Sequence, residues 1–505
     1  MRCLDSIIKI AFARHYKSIL QGIEQPHATQ QMLLMRLIKA HRHTAFGRQY
    51  NFESIKNIRQ FQERIPIQQY EDFKPYIQRM IQGEANILCP GKVRYFSKSS
   101  GTTSDVSKYI PVPLQNLKNC HLKGGHDAIA MWLQQQPASQ IFDGGNAIIM
   151  GGELNPSTFS SSTIIGDVSA IMLQHLPFYA RWFLTPDIPT ALLPDWEEKI
   201  ERIAQAAVSK NITNISGVPT WTLLLMRKIL EISGASTLSE VFPKFELYMH
   251  GGVNFEPYRG QFQALFPDQN IQFRNSYNAS EGFFACQHHQ DDLGMQLLLN
   301  NDVFFEFMPL EQLGKSTPKV HTIEEVNLQE DYALVISSSA GLWRYLIGDT
   351  LQFTSLYPHQ ISLTGRTQQF INVFGEEVMV CNTEKALVYT CQRFAATVAD
   401  YTVAPVFFEA GSKAGHQWLI EFETPPKDIN QFRKILDLNL QKVNSDYQAK
   451  RYKSLALNEL NLTVLPKGTF HKWLKQKGKF GGQNKVPRLS NERGYAEEIL
   501  ALIQP

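Results

Sequence analysis

The feature that most limits what this chain can fold into is a change of hydrophobic period near residue 90. Before it, Met32, Leu33, Leu34, Leu37 and Ile38 recur at helical spacing, and polar breaks at Asn57 and Pro66 divide the segments. Residues 1 to about 85 therefore read as a helical lead-in. From Val93 onward the apolar runs shorten and are bounded by Gly, Ser and Asn: Ala147-Ile148-Ile149-Met150, Phe245 to Met249, Ile271-Gln272-Phe273 and Ala333 to Ile336. Helical stretches from Trp196 to Val208 and from Trp221 to Ile232 lie between them. Strands interleaved with amphipathic helices use those helices to cover the sheet, so the fold class is α/β.

A second change follows Ile361-Ser362-Leu363. Gly365-Arg366 precedes a strand-like Phe370 to Val373; beyond it, Leu419 to Phe422 and Leu460 to Leu465 read as strands around an amphipathic helix at Ile429 to Val443. The pattern predicts a large N-terminal domain, 1–364, a hinge, 365–372, and a small α+β lid, 373–505. The stretch from Lys472 to Arg488 is rich in Lys, Gly and Gln. It is expected to be a mobile loop, where a catalytic contact can be switched in and out.

Composition removes whole classes of function. A chain of 505 residues with 43% apolar and 19% charged content is a folded protein of two or three domains, not a disordered one. Lys plus Arg number 50 against 47 Asp plus Glu, a formal charge of +3, which is too little over this length to indicate a nucleic-acid or anionic-membrane partner. The six cysteines, Cys3, Cys89, Cys120, Cys286, Cys381 and Cys391, have no C-x-x-C spacing, so neither a disulfide framework nor a zinc site is expected. Lys9, Arg14, His15 and Lys17 interrupt the N-terminal apolar stretch, and no run approaches the roughly 20 apolar residues of a membrane span. A cytoplasmic protein is expected.

Candidate chemistry is concentrated in four segments. In Tyr95-Phe96-Ser97-Lys98-Ser99-Ser100-Gly101-Thr102-Thr103-Ser104-Asp105-Val106-Ser107-Lys108, hydroxyls, a glycine and backbone N–H groups follow a strand, and such a concave donor surface suits phosphate oxygens. It is not a Walker A motif, and no G-x-G-x-x-G occurs; taken alone, a solvated Ser/Thr turn accounts for it. Tyr277-Asn278-Ala279-Ser280-Glu281 offers a ring to stack on a base, a hydroxyl for phosphate and a carboxylate for Mg²⁺. His250-Gly251-Gly252 follows a strand, and its glycines would let a flat purine approach the backbone. Gly341 to Asp349 ends in a carboxylate able to accept from two ribose hydroxyls. Each of these last two is, by itself, an ordinary turn.

In this order, and with Gly365-Arg366 after them, the segments resemble the adenylate-forming superfamily of acyl-CoA synthetases, peptide-synthetase adenylation domains and luciferases. Lys108 lies one residue later than in that superfamily's usual loop, and this spacing, with Tyr109-Ile110-Pro111 following, is similar to the auxin-responsive acyl acid amido synthetases. Those are plant hormone-conjugating enzymes and their bacterial relatives. His43-Thr44-Ala45-Phe46-Gly47, Ile65-Pro66-Ile67, Tyr70-Glu71-Asp72, Pro75-Tyr76-Ile77 and Ile81-Gln82-Gly83-Glu84 look like that family's N-terminal pattern.

The resemblance implies ATP and Mg²⁺ as cofactors. Ser99, Ser100, Gly101, Thr102, Thr103 and Lys108 would serve the phosphates, Gly251, Gly252 and Tyr277 the adenine, Ser280 phosphate, and Asp349 the ribose. Glu281 would hold the metal, Arg366 would reach the nucleotide from the hinge, and Lys485 would be the small domain's mobile lysine, making Glu281, Arg366 and Lys485 the catalytic set. Two departures stand out: Asp105, Val106 and Ser107 replace the usual glycine and proline before the loop lysine, and Gln368-Gln369 stands where the superfamily often has an acidic hinge residue. The implied activity joins a carboxylic acid, through its acyl-adenylate, to an amine such as an amino acid. The alternatives are thioester formation on external coenzyme A or a carrier protein, and a non-catalytic nucleotide- or acyl-binding protein.

Other features read plainly. His288-His289-Gln290-Asp291-Asp292 is expected to be a surface turn, since Leu293 occupies the place a paired-histidine motif needs for an acid. His121 and His126 flank Gly124-Gly125 without a third ligand. Trp132, Phe178, Tyr179 and Trp182 are expected in the core rather than on pocket walls, although the resemblance implies an acyl pocket within the region 120–180.

Overall fold

The computed structural model describes residues 2–99, 108–156, 163–252, 255–328, 330–367, 370–376, 378–407, 414–452, 456–476, 486 and 488–503. The lead-in is helical, as its period requires: Arg2–Glu24, Pro26–His41, Ala45–Gln49, Ile58–Arg64 and Tyr70–Ile81. Asn57 starts the fourth of these by accepting the Gln60 N–H on its side chain, so the polar break is a helix cap. Leu34, Leu37, Phe46, Phe61 and Phe73 are fully buried against a sheet that includes Phe304, Phe305 and Tyr345. Gln30, itself buried, donates to the Leu299 and Val303 carbonyls and accepts the Phe305 N–H. It thereby covers backbone groups along the edge strand Val303–Pro309, which would otherwise stand open to pairing.

That sheet has ten strands, in the order Val303–Pro309, Asp331–Ser338, Tyr345–Leu356, His359–Arg366, Met295–Leu297, Gly282–Cys286, Gln272–Ala279, Leu247–His250, Ile212–Gly217 and Asn146–Ile149. The first seven pair antiparallel; the last four run parallel, with the helices Trp196–Val208 and Pro219–Ser233 in their crossovers. A four-stranded sheet stands beside it, ordered Lys108–Pro111, Tyr95–Ser99, Ile164–Gly166 and Leu154–Pro156.

Toward the C-terminus, Thr397–Val406, Gly415–Thr424 and Asn461–Leu465 form a three-stranded sheet. Successive residues of its central strand face opposite layers. Trp418 and Ile420 join Phe432, Leu436 and Leu440 of the helix Ile429–Val443, whereas Leu419 packs with Phe470, Trp473 and Ile499. The loop expected from Lys472 therefore needs correction at its start. Thr469–Gln476 is a helix, held by Phe470 and Trp473 three residues apart on one buried face. At the other end Arg488 is anchored, donating to the Tyr401 carbonyl at 3.0 Å and stacking 4.7 Å from its ring.

The aromatic expectation also needs correction. Trp132 is buried, but Phe178, Tyr179 and Trp182 are 71%, 48% and 64% exposed on the short helix Phe178–Phe183, which buries none of its residues. No described helix is long and apolar enough to cross a membrane.

Candidate active site

The four parallel strands end at Ile149, Gly217, His250 and Ala279 on one edge of the sheet, the edge where open α/β sheets place their ligands. Gln272–Ala279 turns there into Gly282–Cys286 through a two-residue hairpin, with Ala279 opposite Gly282. Ser280 and Glu281 are the two residues of that turn. A register shift between Tyr277 and Asn278 breaks the alternation just before it; such a bulge re-aims the side chains that follow.

The hairpin meets two other elements. From the small sheet, the Ser97 hydroxyl donates to the Ser280 hydroxyl oxygen at 2.9 Å. From the large sheet, Asp349 accepts the Tyr277 hydroxyl at 2.5 Å. Asp349 is also paired across the strands with Arg366, which places the Arg366 backbone beside the candidate ribose ligand. Tyr277, Ser280 and Asp349 are thus brought together, and Glu281 stands at the same turn, 6% exposed.

Lys108 belongs to the strand that pairs with Tyr95–Ser99, the strand carrying Ser97. It lies opposite Ser99 on adjacent antiparallel strands, so residues 100–107 join two paired strands. Its buried ammonium donates to the Tyr345 hydroxyl at 3.5 Å and lies 5.7 Å from the Tyr70 ring. The Tyr109 N–H donates to the Tyr70 hydroxyl at 2.8 Å. Burial pushes the Tyr70 phenol up to about 12, and the charge of Glu281 acts in the same direction; the hydroxyl is therefore a neutral donor at ordinary pH. Tyr70, Tyr345 and Ser97 fall within the segments Tyr70-Glu71-Asp72, Gly341 to Asp349 and Tyr95 to Lys108, but no role at the site attaches to them from sequence. Tyr345 stands four residues before Asp349 with a bulge between them, since Leu346 and Thr350 pair with Val335 and Ala333 on the neighbouring strand.

Gly251 is explained by packing. A Cβ there would come within 2.4 Å of the Ser276 carbonyl oxygen on the neighbouring strand, while Gly252 adopts φ +83°, in the region that favours glycine. Next to them His250 is buried, stacked 4.0 Å from Phe255, and desolvation pulls its imidazole down to about 3. It is neutral, and it shapes the wall without adding charge. The remaining predicted positions cannot be placed in the same way: Ser100, Gly101, Thr102, Thr103, Lys485 and Gln368-Gln369 lie outside the described residues, and Ser99 and Arg366 are described in backbone only. His288 to Asp292 forms a turn bordering an open polar pocket of about 470 Å³ with Tyr16 and Arg274.

The arrangement gathers hydroxyls, two carboxylates and one ammonium at the carboxyl edge of a sheet, with a tyrosine ring among them. A carboxylate beside hydroxyl donors suits a divalent cation bound to phosphate, and an aromatic ring next to a second carboxylate suits a nucleoside. The described residues therefore fit Mg²⁺ and ATP in the chemistry of their donor set.

Comparison with known proteins agrees with this reading of the fold. Residues 15–271 match the GH3 family N-terminal domain, 296–366 its central domain and 381–494 its C-terminal domain. A jasmonoyl–L-amino acid synthetase, JAR4, of Nicotiana attenuata is 23% identical over 88% of this chain and 87% of its own. The indole-3-acetic acid-amido synthetase GH3.3 of Arabidopsis thaliana is 20% identical over 91% and 88%. Among solved structures, a GH3.15 acyl acid amido synthetase in complex with 2,4-DB superposes with a TM-score of 0.62 over 98% of this chain and 96% of its own, at 15% identity. A 2-hydroxyisobutyryl-CoA ligase in complex with 2-HIB-AMP and CoA does so at 0.59, over 95% and 92%, at 11% identity. With the N-terminal domain match alone spanning more than half of its residues, the chain belongs to the GH3 family.

Proposed function

We propose that this protein is an acyl acid amido synthetase that activates a carboxylic acid with ATP and passes the acyl group to an amine, an amino acid being the favoured class. The observation that carries the reading is the convergence of Tyr277, Ser280, Glu281 and Asp349 at one sheet edge, with Ser97 and Lys108 closing the group. The relatives' printed activities, jasmonoyl–L-amino acid and indole-3-acetic acid-amido synthesis, supply the reaction class.

A carboxylate is a poor acyl donor because its leaving group would be oxide. In the first step its oxygen attacks the α-phosphorus of ATP and pyrophosphate leaves; in the second an amine nitrogen attacks the acyl carbon, AMP leaves and the nitrogen loses a proton. Neither step needs a side-chain nucleophile, so the protein's work is positioning and charge stabilisation. Tyr277 and Asp349 would hold the nucleoside, the Ser/Thr/Gly loop and Lys108 the phosphates, and Glu281 the Mg²⁺, whose charge offsets that of the phosphate oxygens. The division into 1–364, a hinge at 365–372 and 373–505 belongs to the same reading: the smaller part turns about the hinge between the two steps, bringing Lys485 and Arg366 to the nucleotide in one of them.

Acid-dependent exchange of labelled pyrophosphate into ATP, run with pooled aromatic, fatty and hydroxy acids, tests the first step. Exchange followed by amide formation when amino acids are added is the expected result. Thioester formation with coenzyme A and no amide would replace the second step, and exchange with no acid at all would overturn the reading.

A further inference from the structure

The C-terminal part of the chain touches the large sheet's helices through an aromatic stack that the proposed reaction does not use. Trp196, which opens the helix Trp196–Val208, and Trp221, in the first turn of Pro219–Ser233, are stacked with centroids 4.2 Å apart and planes 25° from parallel. Both stand at the carboxyl edge of the parallel strands, since Pro219–Ser233 begins directly after Ile212–Gly217. From the C-terminal side, the Lys450 ammonium of the helix Ser445–Arg451 sits 5.2 Å from the Trp221 ring and 5.9 Å from that of Trp196. Phe374, just past the candidate hinge, meets Trp221 edge-on at 5.5 Å.

The stack already carries a cation before Lys450 arrives. Lys199 is buried with its ammonium 4.3 Å from the Trp196 ring, donating to the Gly151 and Gly152 carbonyls at 3.1 Å each. Trp196 is itself oriented by its indole N–H, which donates to Glu153 at 3.2 Å. Trp196, Lys199 and the 151–153 loop thus form a prebuilt seat belonging wholly to the large domain. A cation over an aromatic face is held by a weak attraction that strengthens as it is desolvated, and here a second ammonium on the same pair opposes it. Contacts of that strength hold one arrangement over another without locking it.

We propose that Lys450 is a positioning residue, which seats the C-terminal domain on the Trp196–Trp221 pair and so sets the balance between the acid-activating and amide-forming arrangements. This rests on the reaction proposed above, in which the domain turns between steps. Lys450 does not touch the candidate nucleotide ligands; its effect is on which arrangement the domain occupies.

The test uses the full chain. Lys450→Met keeps the aliphatic stem and removes the charge, Lys450→Arg keeps a cation that can stack, and Trp196→Leu removes the seat from the opposite side. Pyrophosphate exchange and amide formation are measured for each, with small-angle scattering to follow domain arrangement and thermal unfolding to confirm the fold. Lys450→Met should change the ratio of the two rates by about two- to fivefold, the factor that a weak cation–π contact is worth. Trp196→Leu should shift it in the same direction, and Lys450→Arg should stay at the wild-type ratio. An unchanged ratio and scattering profile in Lys450→Met, or Lys450→Arg behaving like Lys450→Met, overturns the proposal. Absence of exchange in the wild type overturns the reaction instead; scattering then decides the seat alone, and an unchanged Lys450→Met profile rejects it.

Discussion

The Tyr277 hydroxyl donates to the Asp349 carboxylate at 2.5 Å, joining two strands four places apart in the ten-stranded sheet. The contact aligns a ring and an acceptor that the sequence separates by 72 residues. A nucleoside entering here would exchange solvent for a carboxylate already fixed in direction, and a hydrogen bond to a charged group contributes about 1.5–3 kcal/mol. Asp349→Ala should therefore raise the KM for ATP about 10- to 100-fold. Tyr277→Phe, which keeps the ring and frees the carboxylate, should cost much less. Steady-state exchange at varied ATP separates the two; equal losses would mean that the phenol, not the carboxylate, is the important group.

Glu281 is buried at the tip of a two-residue turn, an expensive place for a carboxylate unless something uses its charge. Glu281→Ala and Glu281→Gln should each lower pyrophosphate exchange at least about 100-fold, in keeping with removal of a group that acts on transition-state charge. Exchange by the Gln variant should need a higher Mg²⁺ concentration to saturate. Full activity in either variant would remove Glu281 from the metal role.

Much of this site is legible in the sequence because its parts are local. Tyr277 to Glu281 fall within five residues, and Gly365-Arg366 lies on the strand next to Asp349. The alternation of strand and helix likewise gave the α/β class, and Ile429–Val443 forms the helix its spacing predicts. Tyr70 is different. It reaches the Lys108 ammonium from the helix Tyr70–Ile81, which begins 38 residues earlier, so only the tertiary fold brings the two together. Phe178, Tyr179 and Trp182 failed as core residues for a related reason. Their hydrophobicity fits a core, but a short helix that buries none of its residues leaves them facing outward. The Lys472 boundary failed because a lysine-rich composition hid the buried pair Phe470 and Trp473.

Arg344 and Glu306 form an ion pair inside the large sheet, 6% and 0% exposed, with the guanidinium Nε 3.0 and 3.2 Å from the carboxylate oxygens. Arg344 also donates to the Gln62 and Ile65 carbonyls, so it ties the lead-in to the strand that carries Asp349. Breaking a buried pair from one side leaves a charge unpaired and costs about 3–5 kcal/mol. Glu306→Leu should lose that much stability by denaturant titration. Replacing both partners with apolar residues should lose clearly less, and equal losses would show that the packing of Arg344, not its charge, matters.

Burial pulls the Lys199 ammonium down from 10.5 to about 8, and Lys450 adds to the effect while Glu153 and Asp167 oppose it. Between these two values the unfolded chain binds a proton at this lysine that the folded chain has released. Folding stability from this group therefore rises as pH increases from about 8 to about 10.5, and below about 8 the full cost of the buried charge is present. Lys199→Met should remove that slope. The difference between wild-type and variant unfolding free energies, measured from pH 7 to 10, should move upward across the window; a difference that stays level would mean that Lys199 keeps its ordinary pKa in the folded protein.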